Sequence, residues 1–214
     1  MKRIGIIIAM IIAASALVYA NGSSEETSSS AASASVQRSD AKTLIVYFTP
    51  ANNDAVDFVS SATPRVGDVS SVEYVANIIS SSVKADVAKI TVNEAYPLPY
   101  NATADRAKQE QSDNVRPAFS VDANPEDYDV IFIGYPIWWY HLPVIMDAFF
   151  DKYDFSGKTI IPFMTHQGSR DSGTFKEIKT LEPNATVLDG IAVRGDRAGN
   201  SEADVRKWLT GLGY

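Results

Sequence analysis

Apolar residues along this chain come in two rhythms. At residues 43–48 the run Thr-Leu-Ile-Val-Tyr-Phe is continuous and β-branched, the pattern of a strand covered on both faces. The same pattern recurs at 129–134 and 158–164, and less purely at 85–92 and 186–193. Between these runs the period lengthens to that of a helix. Val72, Val75, Ala76, Ile79 and Val83 fall on one helical stripe, and Ser70 followed by Glu73 forms a capping box at its start. Residues 142–150 and 172–181 predict two more helices, and 103–113 a polar one. Glu202 opens the last, in which Val205, Trp208, Leu209 and Leu212 share a face.

Strands that alternate with helices imply right-handed crossovers and a parallel sheet with helices on both faces. The expectation is an α/β three-layer domain over residues 42–214, with five parallel strands in the order 2-1-3-4-5. In such a sheet ligands sit beyond the carboxyl ends of the strands where strand order reverses, here between the first and third strands. Three loops leave that edge: 49–71, 135–141 and 165–173.

The middle loop reads Tyr135-Pro136-Ile137-Trp138-Trp139-Tyr140-His141. Three successive aromatics at a strand end make a platform for a planar heterocycle, because indole and phenol faces are wide and lose few rotors on stacking. The alternatives are packing against the loop after the first strand, or a homodimer interface. His141 follows directly and either donates a proton or hydrogen bond near a bound ring or is a surface histidine.

Residues 129–139, Asp-Val-Ile-Phe-Ile-Gly-Tyr-Pro-Ile-Trp-Trp, resemble the bacterial flavodoxin-like family, as do Pro143 and residues 153–163, Tyr-Asp-Phe-Ser-Gly-Lys-Thr-Ile-Ile-Pro-Phe. Tyr96-Pro97, Tyr100 and Arg116-Pro117 also match its pattern, and the resemblance runs from about Thr43 to the C-terminus. It implies a flavodoxin-like fold that binds FMN. The ring would lie against Pro136, Ile137, Trp138, Trp139 and Tyr140, and the phosphate in the loop after the first strand. The other ring edge would meet Thr165, His166, Gln167, Gly168 and Ser169, where Gly168 permits close backbone approach and the polar neighbours can bond the pyrimidine edge. The alternative for residues 165–169 is a polar strand-to-helix turn.

The phosphate loop departs from the family pattern. Relatives carry Thr-Gly-Asn-Thr, whose backbone N–H groups and helix start cradle the phosphate. Here the first strand is followed by Thr49, Pro50, Ala51 and Asn52, and the capped helix begins only near Ser70 after an insertion that contains Phe58, Pro64, Arg65 and Gly67. Residues 67–71 are the candidate replacement, with Ser70 and Ser71 at the positive end of the helix dipole. Arg65 is either a compensating cation or a solvated loop arginine.

Residues 1–20 read as a secretory signal: Lys2 and Arg3, an apolar run from Ile4 to Val18, and small residues at Val18 and Ala20. An uncleaved anchor is the alternative. Residues 21–41 are Ser-rich and predict a disordered tether of about 25 Å random-coil reach. The formal charge of −7 becomes more negative by two once Lys2 and Arg3 are removed, which argues against nucleic acid as a partner. The chain has no cysteine and only two histidines, so disulfides, thiolate sites and His-rich metal sites are excluded.

The leading expectation is an exported, periplasmic FMN protein that carries electrons or reduces quinone-type acceptors, with a quinone, NAD(P)H or a protein as its redox partner and no membrane contact beyond the signal segment. No Gly-x-Gly-x-x-Gly unit offers a separate nicotinamide domain. The second expectation is an exported binding module that keeps the fold without FMN. A hydrolase using Ser169 or Thr165 is the third and weakest, since no Gly-x-Ser-x-Gly elbow precedes a helix.

Overall fold

The computed structural model describes residues 41–50, 65–97 and 100–214. The expected leader and nearly all of the tether, Ala51, Asn52 and the Phe58 insertion lie outside the described residues.

The first strand, β1 (Thr43–Phe48), is buried at all six positions. It lies between β4 (Asp86–Val92) and β6 (Val130–Pro136), parallel to both, and β6 continues into β7 (Thr159–His166). Side chains alternate onto two cores, as a pleat of period two requires. Leu44, Val46 and Phe48 join Ile131, Ile133 and Tyr135 on one face, while Ile45 and Tyr47 join Val130 and Phe132 on the other.

The sheet departs from the simple five-strand expectation in two places. Among the described residues it has seven strands, ordered β5-β4-β1-β6-β7-β8 with β9 also on β7, and β5 (Phe119–Ser120) adds antiparallel to the end of β4. The fifth parallel strand is also split, into β8 (Thr186–Val187) beside Thr159–Ile160 and β9 (Ile191–Arg194) beside Phe163–His166. The break falls opposite Pro162, which has no N–H to give a neighbouring strand. Gly190 sits in the jog, where a Cβ would stand 2.5 Å from the Pro162 carbonyl oxygen and 2.7 Å from the Phe175 ring.

One core lies under α1 (Ser71–Ser80) and α5 (Glu202–Leu212), and Val72, Val75, Ile79, Val205 and Leu209 are all within it. The capping box forms as the sequence predicts: Ser70 Oγ accepts the Glu73 N–H at 3.1 Å. The opposite core is covered by α3 (Val144–Lys152), which contributes Ile145, Met146, Phe149 and Phe150, and by Ile178 of α4 (Thr174–Leu181). The polar helix α2 (Tyr100–Ser112) buries only Thr103, Ala107 and Glu110. It is fastened by Glu110, which accepts from Tyr96 Oη at 2.7 Å and Arg106 Nε at 2.8 Å.

Candidate cofactor site

The carboxyl ends of β6 and β7 stay paired to Pro136 and Thr165, and the Ile137 N–H donates to the Thr165 carbonyl at 2.8 Å. The chain then reverses in two residues. Trp138 and His141 exchange N–H···O=C bonds of 3.2 and 2.9 Å, and the intervening Trp139 and Tyr140 both have positive φ, 46° and 66°. Two left-handed central residues are the signature of a type I′ turn, normally built from Asn and Gly because a side chain there costs about 1–2 kcal/mol.

This reversal separates three aromatics that sequence alone places together. Trp138 turns inward and is only 6% exposed, meeting Phe48 edge-on at 5.4 Å and Tyr96 at 4.9 Å between ring centroids. Among the described residues its indole Nε1 is buried with no hydrogen-bond partner. Trp139 turns toward α2, where its Nε1 donates to the Ala104 carbonyl at 2.9 Å and Lys108 Nζ lies 4.9 Å from the ring centroid. Tyr140 is 68% exposed. Tyr96 and Lys108 thus shape the aromatic loop. Only Tyr96 carried a signal in the sequence, through its Tyr-Pro pair.

The end of β7 is organised around one imidazole. His166 Nδ1 accepts the Gly168 N–H at 2.9 Å and the Arg170 N–H at 3.1 Å. Two donors on one nitrogen require a lone pair there, so the ring is neutral and its proton sits on Nε2. Burial, then the charges of Arg194 and Arg170, push the His166 pKa below its ordinary value. The loop around the imidazole contains Gly168, Arg170, Ser172 and Gly173, all with positive φ. Gln167 Oε1 accepts the Asp196 N–H at 3.0 Å, which ties the loop to the segment after β9.

On the α1 side, Thr49 and Pro50 are buried at the end of β1. Arg65 and Ser70 belong to a two-rung hairpin of β2 (Arg65–Val66) and β3 (Val69–Ser70), turned at Gly67 with φ 61°. The Arg65 guanidinium donates to the Asp68 carbonyl inside that hairpin. Ser70 Oγ is engaged by the helix cap. Ser71 is fully buried and its hydroxyl donates to Thr165 Oγ1 at 3.2 Å. The expected phosphate residues Ser70 and Ser71 therefore have structural partners, and Ser71 joins the start of α1 to the end of β7. Burial and the nearby Glu73 carboxylate push the Tyr47 pKa up to about 12.

A family model described as Flavodoxin matches residues 66–212. The chain belongs to the flavodoxin family. A provisionally assigned flavoprotein from Bacteroides uniformis is 30% identical over 79% of this chain and 97% of that one, with a TM-score of 0.61. Another from Bacteroides eggerthii is 27% identical over 82% and 99%, also at 0.61. A Lactobacillus acidophilus flavoprotein solved in complex with FMN has the same fold at 22% identity over 79% and 99%, with a TM-score of 0.54. No curated protein matches.

Membership in the flavodoxin family supports FMN as the cofactor, and the described part of the site fits it. Trp138 Nε1 is an orphaned buried donor at the edge where strand order reverses. Across from it the β7 loop keeps Gly168 exposed and Gln167 and Ser169 half-buried, a polar edge beside an aromatic wall. The phosphate end falls largely on residues 51–64, outside the described residues.

Proposed function

We propose that this protein is an exported FMN-binding flavodoxin that carries electrons or reduces quinone-type acceptors. The observation that carries the proposal is the aromatic turn at 136–141, whose Trp138 packs on Phe48 of β1 at the reversal of strand order, beside the His166-centred loop of the neighbouring strand β7. Bound FMN supplies the one- and two-electron chemistry. The chain's own contribution is position. Trp138, Phe48 and Tyr96 form an apolar wall that excludes water, while the backbone of Gln167, Gly168 and Ser169 offers hydrogen bonds to the polar rim of the ring. In this reading Thr49, Pro50, Ala51 and Asn52 with the start of α1 would hold the phosphate, and a leader at residues 1–20 would direct export.

A titration of the purified protein with FMN is the test. Visible flavin bands that co-purify, with fluorescence quenched by neighbouring indole, are the expected result. A protein that retains no flavin and quenches none leaves the second proposal, a binding module on a flavodoxin fold. That alternative draws on one observation: the hydroxyls of Ser70 and Ser71 already have protein partners.

A further inference from the structure

The backbone of residues 166–173 holds an unusual density of left-handed residues: Gly168 at 121°, Arg170 at 55°, Ser172 at 48° and Gly173 at 83°. Arg170 and Ser172 carry side chains, so this shape persists only where surrounding contacts over-determine it. Successive backbone N–H groups in such a loop form a concavity that attracts a lone pair or an anion. Here the lone pair comes from within. The Gly168 and Arg170 N–H groups converge on His166 Nδ1 at 2.9 and 3.1 Å.

We infer that His166 is a positioning residue: its neutral imidazole holds the 167–173 loop in the conformation that receives the ring edge of FMN, and protonation at Nδ1 releases that loop. This rests on the flavin reading above. The argument is one of hydrogen-bond polarity. A proton on Nδ1 replaces the lone pair with a third donor facing two donors, so both bonds are lost together and the imidazole must leave its place.

The surroundings decide how readily that happens. Among the described residues, the charged groups that face the imidazole are Arg170 and Asp171 from its own loop, Arg194 from β9, and Asp196 beyond it. Arg194 stands opposite His166 in the β7–β9 register and is paired with Asp196 at 2.8 Å. Burial and the two arginines outweigh the two aspartates, so the neutral form is favoured. A base held below its ordinary value near 6.5 contributes stability that is complete above that value and lost as pH falls through it.

Two measurements test the inference. In the FMN-free protein, the Gly168 and Arg170 amide resonances should shift together with the His166 ring as pH falls from 8 to 5. In FMN titrations over the same range, parent affinity should weaken by up to about tenfold per pH unit below the imidazole pKa. His166→Asn provides the control, because its Oδ1 can accept the N–H two residues on without titrating. The FMN phosphate itself titrates near pH 6, so the quantity read is the ratio of parent to variant affinity, in which that effect cancels. A ratio that changes with pH supports the inference. A ratio that stays flat, or amides that ignore the histidine titration, overturns it. If FMN binds at no pH, the flavin proposal falls, and the amide titration alone decides whether His166 positions the loop.

Discussion

The loops that leave β6 and β7 both bend the chain through left-handed residues with side chains, yet different chemistry holds each of them. At β6, Trp139 and Tyr140 are kept in place by a paired backbone bridge and by an indole driven between Phe48 and Tyr96. At β7, Arg170 is held by an imidazole that accepts its N–H together with that of Gly168, and Ser172 by its own hydroxyl, which donates to the Ser169 carbonyl. An aromatic wedge does not titrate, whereas an imidazole does. The first loop is therefore a fixed wall across the pH range, and the second is a wall only while His166 is neutral. A flavin held between them would lose its polar edge in acid before its aromatic face.

The largest way to break this contrast is to remove the wedge. Trp138→Ala empties a site that is 6% exposed and should lower unfolding free energy by about 3–5 kcal/mol, read from a denaturant midpoint. A loss below about 1 kcal/mol would mean that the backbone bridge alone carries the turn. Trp138→Phe sharpens the point. It keeps most of the ring but removes the orphaned Nε1, whose burial costs about 1–3 kcal/mol, so the smaller side chain should be tolerated far better than alanine.

The next effect concerns the tie between the two sides of the site. Ser71→Ala leaves Thr165 Oγ1 buried without its donor and should cost about 1–3 kcal/mol in the same assay. Combining it with Thr165→Val should recover much of that loss, since neither polar group is then stranded. A double variant as unstable as the sum of the two single changes would show that the hydroxyls do not act as a pair.

The residues that define the fold were largely legible in the sequence. Residues 43–48 predict β1 to the residue, and Ser70 with Glu73 predicts the start of α1, because a doubly covered strand and a capped helix are local patterns. The split of the fifth strand was not legible, because it depends on Pro162 of the neighbouring strand rather than on residues 186–193 themselves. Nor was β5, whose two residues are too short to show a period. The aromatic loop shows why site geometry is harder. Trp138, Trp139 and Tyr140 look alike in sequence, and only two consecutive left-handed residues send the first inward and leave the others outside.

Asp147 tests whether the aromatic side is as indifferent to pH as the wedge implies. It lies on α3 and, with His141, Lys108 and Glu177, lines a groove of about 460 Å³ beside the turn. Burial, with Glu177 and Asp151 adding to it and Arg116 and His141 opposing, raises its pKa from 3.8 to about 6. An acid whose folded pKa is raised favours the folded state below its unfolded value, and that contribution is lost as pH rises through about 6. Asp147→Asn should abolish this slope and leave the protein more stable at pH 8 by about 1 kcal/mol, after allowance for solvent screening at a half-exposed group. If stability between pH 4 and 7 does not change with the substitution, Asp147 is not the titrating group.

The smallest effect isolates the backbone of the turn from its packing. Tyr140 is 68% exposed at φ 66°, so replacing it with glycine removes little buried surface while relieving a conformation that disfavours side chains. That relief, about 1–2 kcal/mol, is partly offset by the greater entropy that glycine brings to the unfolded chain, about 0.5–1 kcal/mol. Tyr140→Gly should therefore be stabilising by about 0.5 kcal/mol in thermal or denaturant unfolding, where most substitutions destabilise. A destabilised variant would show that the Tyr140 ring makes contacts that stabilise the fold by more than its backbone strain costs. A stabilised variant that binds FMN more weakly would locate the reason for keeping tyrosine there in ligand recognition, since the fold alone would be better served by glycine.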